Sequence, residues 1–394
     1  MSTSRITAWL VLSRDPLIFR DGRPFEAVPG SRARSLPFPH PTTLAGALRT
    51  REGFQKHGGN FEDNETVQAL LQRRIWGPYL AEKDNQGQLR AWYIPAPQDV
   101  LWVKEGDAIT RYWLRPVEAP GITEMPDRPD KSENLRLVGP KKHIKAKPCR
   151  QAPAFWSWEA LKEWLVNPQD GPVVPENVGL PALLQESRMH VHIDPGTHTA
   201  KEGFLFQTTG LRFVFVPDGK GWPEARHLAL LVRTDAEIDE GIGYLGGERR
   251  AVYWEPVDWS PPSPPEEVLR SAERGAVRMM LVSPAYFEKG YLPTWLQNAV
   301  ESVQANVQAV VLTQRAVAIS GWDMKAGHEK PSRRLVPAGA VYYLRLEGSP
   351  EARRRFVETL WFQPVSDAEQ DRRDGLGQVV FGVWNDQPEE AQDA

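Results

Sequence analysis

Apolar and polar positions along the chain recur either at every second residue or at every third and fourth, and the changeovers divide it into elements. "RITAWLVLS" (5–13) reads as an opening strand. "HPTTLAGALRTREGF" (40–54) has helical spacing, with Leu44, Ala47 and Leu48 on one face and Pro41 suited to the first turn. "NETVQALLQRRIWG" (64–77) predicts a second amphipathic helix, stopped by Gly77-Pro78. "LRAWYIPAP" and "DVLWVKEG" (89–106) predict paired strands. "SWEALKEWLVN" (157–167) predicts a short helix with Ser157 as its N-cap. Strands are expected over 188–195, 203–217 (a long strand or a hairpin) and 226–234, then a glycine-rich turn feeding a strand over 241–257.

"WSPPSPPEE" (259–267) reads as a stiff, extended linker. Beyond it the pattern restarts. Strands are expected over 275–284, 307–323, 338–348 and 377–385, with a short helix at "LPTWLQNA" and another at 349–361 begun by Ser349-Pro350. Strand, helix, strand, strand, helix, strand is a split βαβ arrangement. Each half fits it, so the expected class is α+β with two ferredoxin-like (RNA-recognition-type) domains. The first, 1–258, carries large insertions at about 78–185; the second spans 268–394 and ends in an acidic tail.

Composition narrows this little. The 394 residues are 41% hydrophobic and 25% charged, an ordinary globular mix. No apolar run reaches the roughly 18–20 residues that span a bilayer, so no membrane partner is expected, and a cytoplasmic location follows as an expectation. The lone Cys149 excludes an intrachain disulfide and any multi-cysteine zinc site. Fifteen tryptophans and 35 prolines describe large flat side chains held on rigid turns. The net charge of −3 hides an uneven distribution: residues 131–150 hold seven Lys/Arg and one acid, while the last ten hold four acids and no base.

Candidate chemistry lies in four places. In "GIGYLGGERR" (241–250), glycines allow close approach of a phosphate to backbone N–H groups, and Arg249 and Arg250 follow Gly246 and Gly247. No Lys-Ser/Thr follows in register, so it is not a P-loop, and it leads into a strand, so it is not a dinucleotide fingerprint. A tight β-turn with solvated arginines satisfies the same pattern. His190 and His192 share one strand face, with His198 and Asp194 nearby, a set that acid–base RNA cleavage would use. No metal-binding spacing accompanies them, and no cofactor is expected. "KKHIKAK" (141–147) supplies Lys141, Lys142, His143 and Lys145 for phosphates, or a solvated loop. "GWDMKAGHEKPSRRLVPAGAVYY" (321–343) places Lys330, Arg333 and Arg334 between two apolar strands, as an RNA contact or a flexible hairpin loop.

Five stretches, "DPLIFRDGRPF", "HPTTLAGALR", "RMHVHIDPGTHTAKEGFLFQTTGLRF", "GYLGGERR" and "GWDMKAGHEKPSRRLVPAGAVYY", occur in an order that resembles the RAMP superfamily of CRISPR RNA-binding proteins. Within it, the chain is most similar to the third subunits of the Cmr effector complexes of type III-B systems. The resemblance runs from residue 15 to about 384. It implies two ferredoxin-like domains with a thumb-like insertion. It also implies a non-catalytic subunit that holds the repeat-derived 5′ tag of the CRISPR RNA. The large scaffold subunit and a backbone RAMP subunit at the complex base would be its partners. Arg20, Asp21, Gly22 and Arg23 on the turn after the first strand, Arg49 in the matched "GALR", and Arg249 and Arg250 would then face RNA. The alternative is a metal-independent endoribonuclease that processes the repeat transcript through His190, His192 or His198.

Overall fold

The computed structural model describes residues 5–20, 32–33, 35–59, 61–84, 86–117, 135–149, 151–320, 322–323, 328–329 and 331–385. The first half contains β1 (Thr7–Ser13), α1 (Pro41–His57), α2 (Asn64–Leu71), β2 (Ile75–Lys83), β3 (Leu89–Pro95), β4 (Val100–Glu105), β5 (Ala108–Trp113), β6 (Phe155–Ser157) and α3 (Trp158–Val166). It continues through β7 (Leu184–Ile193), β8 (Ala200–Arg212), β9 (Arg226–Thr234), β10 (Gly241–Tyr244) and β11 (Ala251–Val257). The second half contains α4 (Glu266–Glu273), β12 (Ala276–Leu281), β13 (Gln304–Val311), β14 (Val341–Glu347), α5 (Pro350–Leu360) and β15 (Val379–Val383).

The protein is mixed α/β, and its two main sheets are antiparallel. The first sheet runs β6-β3-β2-β9-β1-β11-β10, and the second runs β13-β14-β12-β15. Both contain the same order of four strands. Numbered along each half, it is second, third, first, fourth: β2-β9-β1-β11 in one and β13-β14-β12-β15 in the other. Among the described residues, an α-helix crosses from first to second strand in the first half (α1), and an α-helix leads to the fourth strand in the second half (α5), each without its counterpart in the other half.

Three expectations need correction. The helix expected over 64–77 ends at Leu71, and Ile75–Lys83 is a strand. Asp63 caps the helix start through the N–H groups of Glu65 and Thr66, but the apolar Ile75 and Trp76 belong to the sheet. Gly77 sits at φ +98° beside a register shift opposite Leu231 and Arg233, so Gly77-Pro78 marks a bulge and not a helix stop. The strands within 89–106 do not pair with each other: β3 pairs β2 and β6, whereas β4 turns back on β5. The 307–323 segment is broken, with β13 ending at Val311 and a separate ladder joining Val317–Ile319 to Arg333–Leu335.

The proline-rich stretch is not a free spacer. Trp361 Nε1 donates to the Pro262 carbonyl at 2.7 Å, and the Trp259 ring lies 5.6 Å from Tyr79 and 5.0 Å from Trp92. Trp92 stacks on Trp158 at 5.0 Å, and Phe362 packs against both. One apolar core thus joins the halves, with Leu10, Tyr79 and Ile94 from the first and Val277, Tyr343 and Phe381 from the second.

Polar groups cross the same boundary. Gln378 accepts from the Gly77 N–H (3.0 Å) and the Tyr79 hydroxyl (2.6 Å), and donates to the Gly77 carbonyl (3.1 Å). Deeper, Arg278 of β12 pairs with Asp99 and donates to the Trp164 carbonyl, while Trp164 Nε1 donates to Asp99 at 3.0 Å. Asp99 and Arg278 are 0% and 2% exposed. The guanidinium also lies over the Trp113 and Trp164 rings, at 5.4 and 5.5 Å.

Asp99→Ala leaves the Arg278 charge buried without its partner, and should cost about 3–5 kcal/mol. Urea unfolding followed by tryptophan fluorescence should show one transition for both halves, moved to lower urea. The double variant Asp99→Leu/Arg278→Met should recover much of the loss. Two separated transitions in the wild type would contradict the shared core. A second prediction concerns His40, 8% exposed at the start of α1. Burial pushes its imidazole pKa down from 6.5 to about 4. The unfolded chain takes up this proton first as pH falls. Stability is therefore fully present above about 6.5 and is lost toward 4, on the order of 2–3 kcal/mol. The fall in urea midpoint between about pH 6.5 and 4.5 should be smaller in His40→Leu than in the wild type.

Candidate nucleic-acid interface

The segment after the first strand and the glycine-rich turn, far apart in sequence, meet. The Gly247 N–H donates to the Ile18 carbonyl at 2.7 Å, and the Leu245 N–H donates to the Arg250 carbonyl at 3.0 Å, closing the turn between β10 and β11. Gly246 has φ +77°, and a Cβ there would collide with the Ile18 carbonyl oxygen. Glycine is required twice over, by backbone conformation and by the close approach. At Gly247 an added Cβ would lie 3.6 Å from Arg20 Nε, which puts the exposed Arg20 side chain against the turn. Glu248 and Arg249 follow at φ 58° and 49°. Two consecutive non-glycine residues in the left-handed region cost about 1–3 kcal/mol each, and such strain concentrates at binding sites.

This geometry displays a cation and a ring together. The Arg249 guanidinium lies 5.2 Å from the Tyr244 ring centroid, and both side chains are exposed. Arg250 is instead half-buried and bonds Glu248 at 2.7 Å. Arg51, which the sequence did not single out, anchors the strand behind the turn. It donates to the Ile242 carbonyl (2.7 Å) and the Asp239 carbonyl (2.7 Å). Arg20, Gly246, Gly247, Arg249 and Tyr244 therefore gather at one turn, where Arg250 pairs with Glu248.

The other candidates are placed separately. Asp21, Gly22, Arg23 and Lys330 lie outside the described residues. Arg49 is 9% exposed, and its guanidinium pairs with Asp374 at 2.6 Å and donates to the Arg73 carbonyl at 2.8 Å. It ties α1 to the second half and does not face solvent. Arg333 is held by Asp371 (2.9 Å) and lies over the Tyr286 ring at 4.8 Å, whereas Arg334 on the same short strand is exposed. Lys141, Lys142, His143 and Lys145 are all exposed, and their loop is fastened where the Cys149 N–H donates to the Trp102 carbonyl at 2.7 Å.

The histidines sit on the β7–β8 hairpin, which projects Met189, Val191, Ile193 and Leu205 at 45–59% exposure. His190 Nε2 lies 2.8 Å from Thr208 Oγ1, while His192 and His198 are exposed. Among the described residues no cluster of His, Cys, Asp and Glu is arranged to hold a metal ion. No helix among them is long and apolar enough to cross a membrane.

A cleft opens between the halves. Its volume is about 450 Å³, and its walls come from residues 36–41, 95–98, Val100, Trp102 and 152–155 on one side and 282–284, Thr313, Gln314, Val317 and 337–338 on the other.

The search of curated proteins found no match. Among solved structures, one similar chain is from "Cryo-EM structure of the Type III-B Cmr-beta bound to cognate target RNA", at 17% identity, TM-score 0.44, covering 85% of this chain and 86% of that one. A second, from the same complex bound to cognate target RNA and AMPPnP (state 1), has 16% identity, TM-score 0.41 and the same coverage. A third is from the crystal structure of the Csm3–Csm4 subcomplex of the type III-A CRISPR-Cas interference complex, at 10% identity, TM-score 0.37, covering 96% of this chain and 99% of that one. The family model described as CRISPR-associated protein (Cas_Cmr3) matches residues 9–384, nearly the whole chain, and the protein belongs to that family.

Proposed function

We propose that the protein is a non-catalytic RNA-binding subunit of a type III-B CRISPR effector complex, that it holds the repeat-derived 5′ tag of the CRISPR RNA, and that it docks on the large scaffold subunit. The observation that carries this reading is the junction of Ile18–Arg20 with the Gly246–Gly247 turn, which sets Arg20 against the same turn that displays Arg249 over the exposed Tyr244 ring. Guanidinium groups grip phosphates, and an aromatic ring and a guanidinium plane both stack on unpaired bases. Family membership over residues 9–384 gives the CRISPR context. The repeated strand order supports reading each half as a ferredoxin-like module that has lost one helix. Docking on protein partners is supported by the apolar side chains exposed along β7 and β8, which a neighbouring subunit would cover. The histidines have no catalytic part in this reading.

The test is binding of labelled RNA carrying its own repeat-derived 5′ tag against a scrambled tag, across a salt series, with the protein alone and with the scaffold subunit. Tag preference is expected. Arg20→Ala and Arg249→Ala should each weaken binding and flatten the log–log salt slope by about 0.7 for every phosphate no longer neutralised. Equal, weak binding to both RNAs would refute tag recognition, and RNA shortened during incubation would refute the non-catalytic role. His190→Ala/His192→Ala/His198→Ala should leave binding unchanged and the RNA intact. Gly246→Ala should weaken RNA binding as much as removal of both arginines, because it parts the turn from Ile18. Its cost to stability should be about 1–3 kcal/mol, measured by urea unfolding.

A further inference from the structure

The cleft between the halves has a chemistry that the turn does not. At about 450 Å³ it lies within the range of small-ligand sites. Among the described residues no Asp, Glu, Lys or Arg lines it, so it is built for neutral matter and not for a phosphate. Its walls carry the rings of Phe38, Trp102 and Phe155, with Phe38 and Phe155 5.0 Å apart. Prolines make up much of the remaining wall, among them Pro37, Pro39, Pro95 and Pro97 on the first-half side, and proline brings no N–H.

The polar groups here are few. Gln98 is already committed: its Oε1 accepts from the Thr313 and Gln314 N–H groups at 2.7 and 3.2 Å, and its Nε2 donates to the Ala338 carbonyl at 2.9 Å. His40 is different. It lines the cleft, burial keeps it neutral, and its Nε2 has no hydrogen-bond partner among the described residues. An unpartnered buried polar atom at the wall of a cleft has room for a ligand group as its partner. An aliphatic chain would leave it unpaired, and a charged group would meet no counter-ion.

Cationic residues lie close in sequence to residues of the cleft wall. The loop with Lys141, Lys142 and Lys145 ends at Cys149, bonded to the Trp102 carbonyl. Arg334 precedes the lining residues Pro337 and Ala338. Leu36, another lining residue, donates to the Phe19 carbonyl at 2.6 Å, one residue from Arg20. We propose that this cleft takes one unstacked nucleobase of a single-stranded RNA, its faces against the aromatic walls and its polar edge on His40, while flanking phosphates rest on these cations. The inference rests on the RNA-binding reading and adds the place where a base is held.

The experiment uses the full chain and single-stranded RNA of the cognate repeat sequence with 2-aminopurine at one position at a time. One position should change fluorescence on binding. Ala338→Phe, which fills the cleft, and His40→Leu, which removes the polar atom, should abolish that change. Ala338→Phe should weaken binding roughly five- to 150-fold, the span expected for removing a base–aromatic stack. An RNA abasic at the same position should bind wild type and variants alike. Ala152→Phe, on the other wall, provides a second block should the first variant fail to fold. Wild-type affinity and fluorescence in the folded variants would overturn the cleft proposal and leave the RNA-binding reading standing. If the wild type binds no RNA, that reading falls, and saturation-transfer NMR with adenosine and uridine decides the cleft. Transfer that disappears in Ala338→Phe supports it, and no transfer overturns it.

Discussion

The pairing of Arg278 with Asp99 is the constraint on which the arrangement of the two halves depends. Arg278 stands on β12, an inner strand of the second sheet, and Asp99 stands just before β4, in the insertion of the first half. Neither charge has access to water, so neither tolerates separation from the other. Trp164 supplies a carbonyl to the arginine and an indole N–H to the aspartate, which fixes α3 in the same knot. The neighbour of Asp99 in sequence, Gln98, is thereby held against Ala338, Thr313 and Gln314. A charge pair in the core thus sets the wall of a cleft at the surface.

On the proposed reading, two kinds of recognition surface result from one scaffold. The turn at 246–250 is strained, exposed and cationic, and it is held by the Leu245–Arg250 backbone bond and by the bond of Gly247 to Ile18. The cleft is neutral and walled by rings and prolines, and it derives its shape from the fit of the halves. Phosphate contacts position a nucleic acid, and base contacts distinguish one sequence from another. The division of charge between the two surfaces matches that division of labour.

The sequence discloses what is local. Short apolar runs mark β1 and β9, and Ser157 and Ser349 mark helix starts that their side chains do cap, bonding the N–H groups of Ala160 and Ala352. Partner choice is not local. Nothing in 89–106 says that β3 faces β2 while β4 faces β5. Ile75 and Trp76 prolong an apolar pattern that a helix and a strand share, which hides the boundary after Leu71. "DPLIFRDG" and "GYLGGERR" are visible as motifs, but only the fold brings them together. Arg49 looks like a surface cation because a helix pattern does not reveal an acid as distant in sequence as Asp374. His40 offers no pattern at all, since its meaning lies in burial and in a missing partner.

The aromatic cluster that joins the halves also has a bearing on synthesis. Tyr79, Trp92, Trp158 and Trp259 leave the ribosome before Trp361 and Phe362, the residues that cover them. At about 5–20 residues per second the gap of roughly 100 residues after Trp259 lasts on the order of 5–20 s. During that interval the nascent first half exposes a patch of indole rings that no later surface of its own will bury. A transcript cut short in the second half would leave those rings without Trp361 and Phe362 to cover them, and so yield a sticky product and not a smaller working subunit.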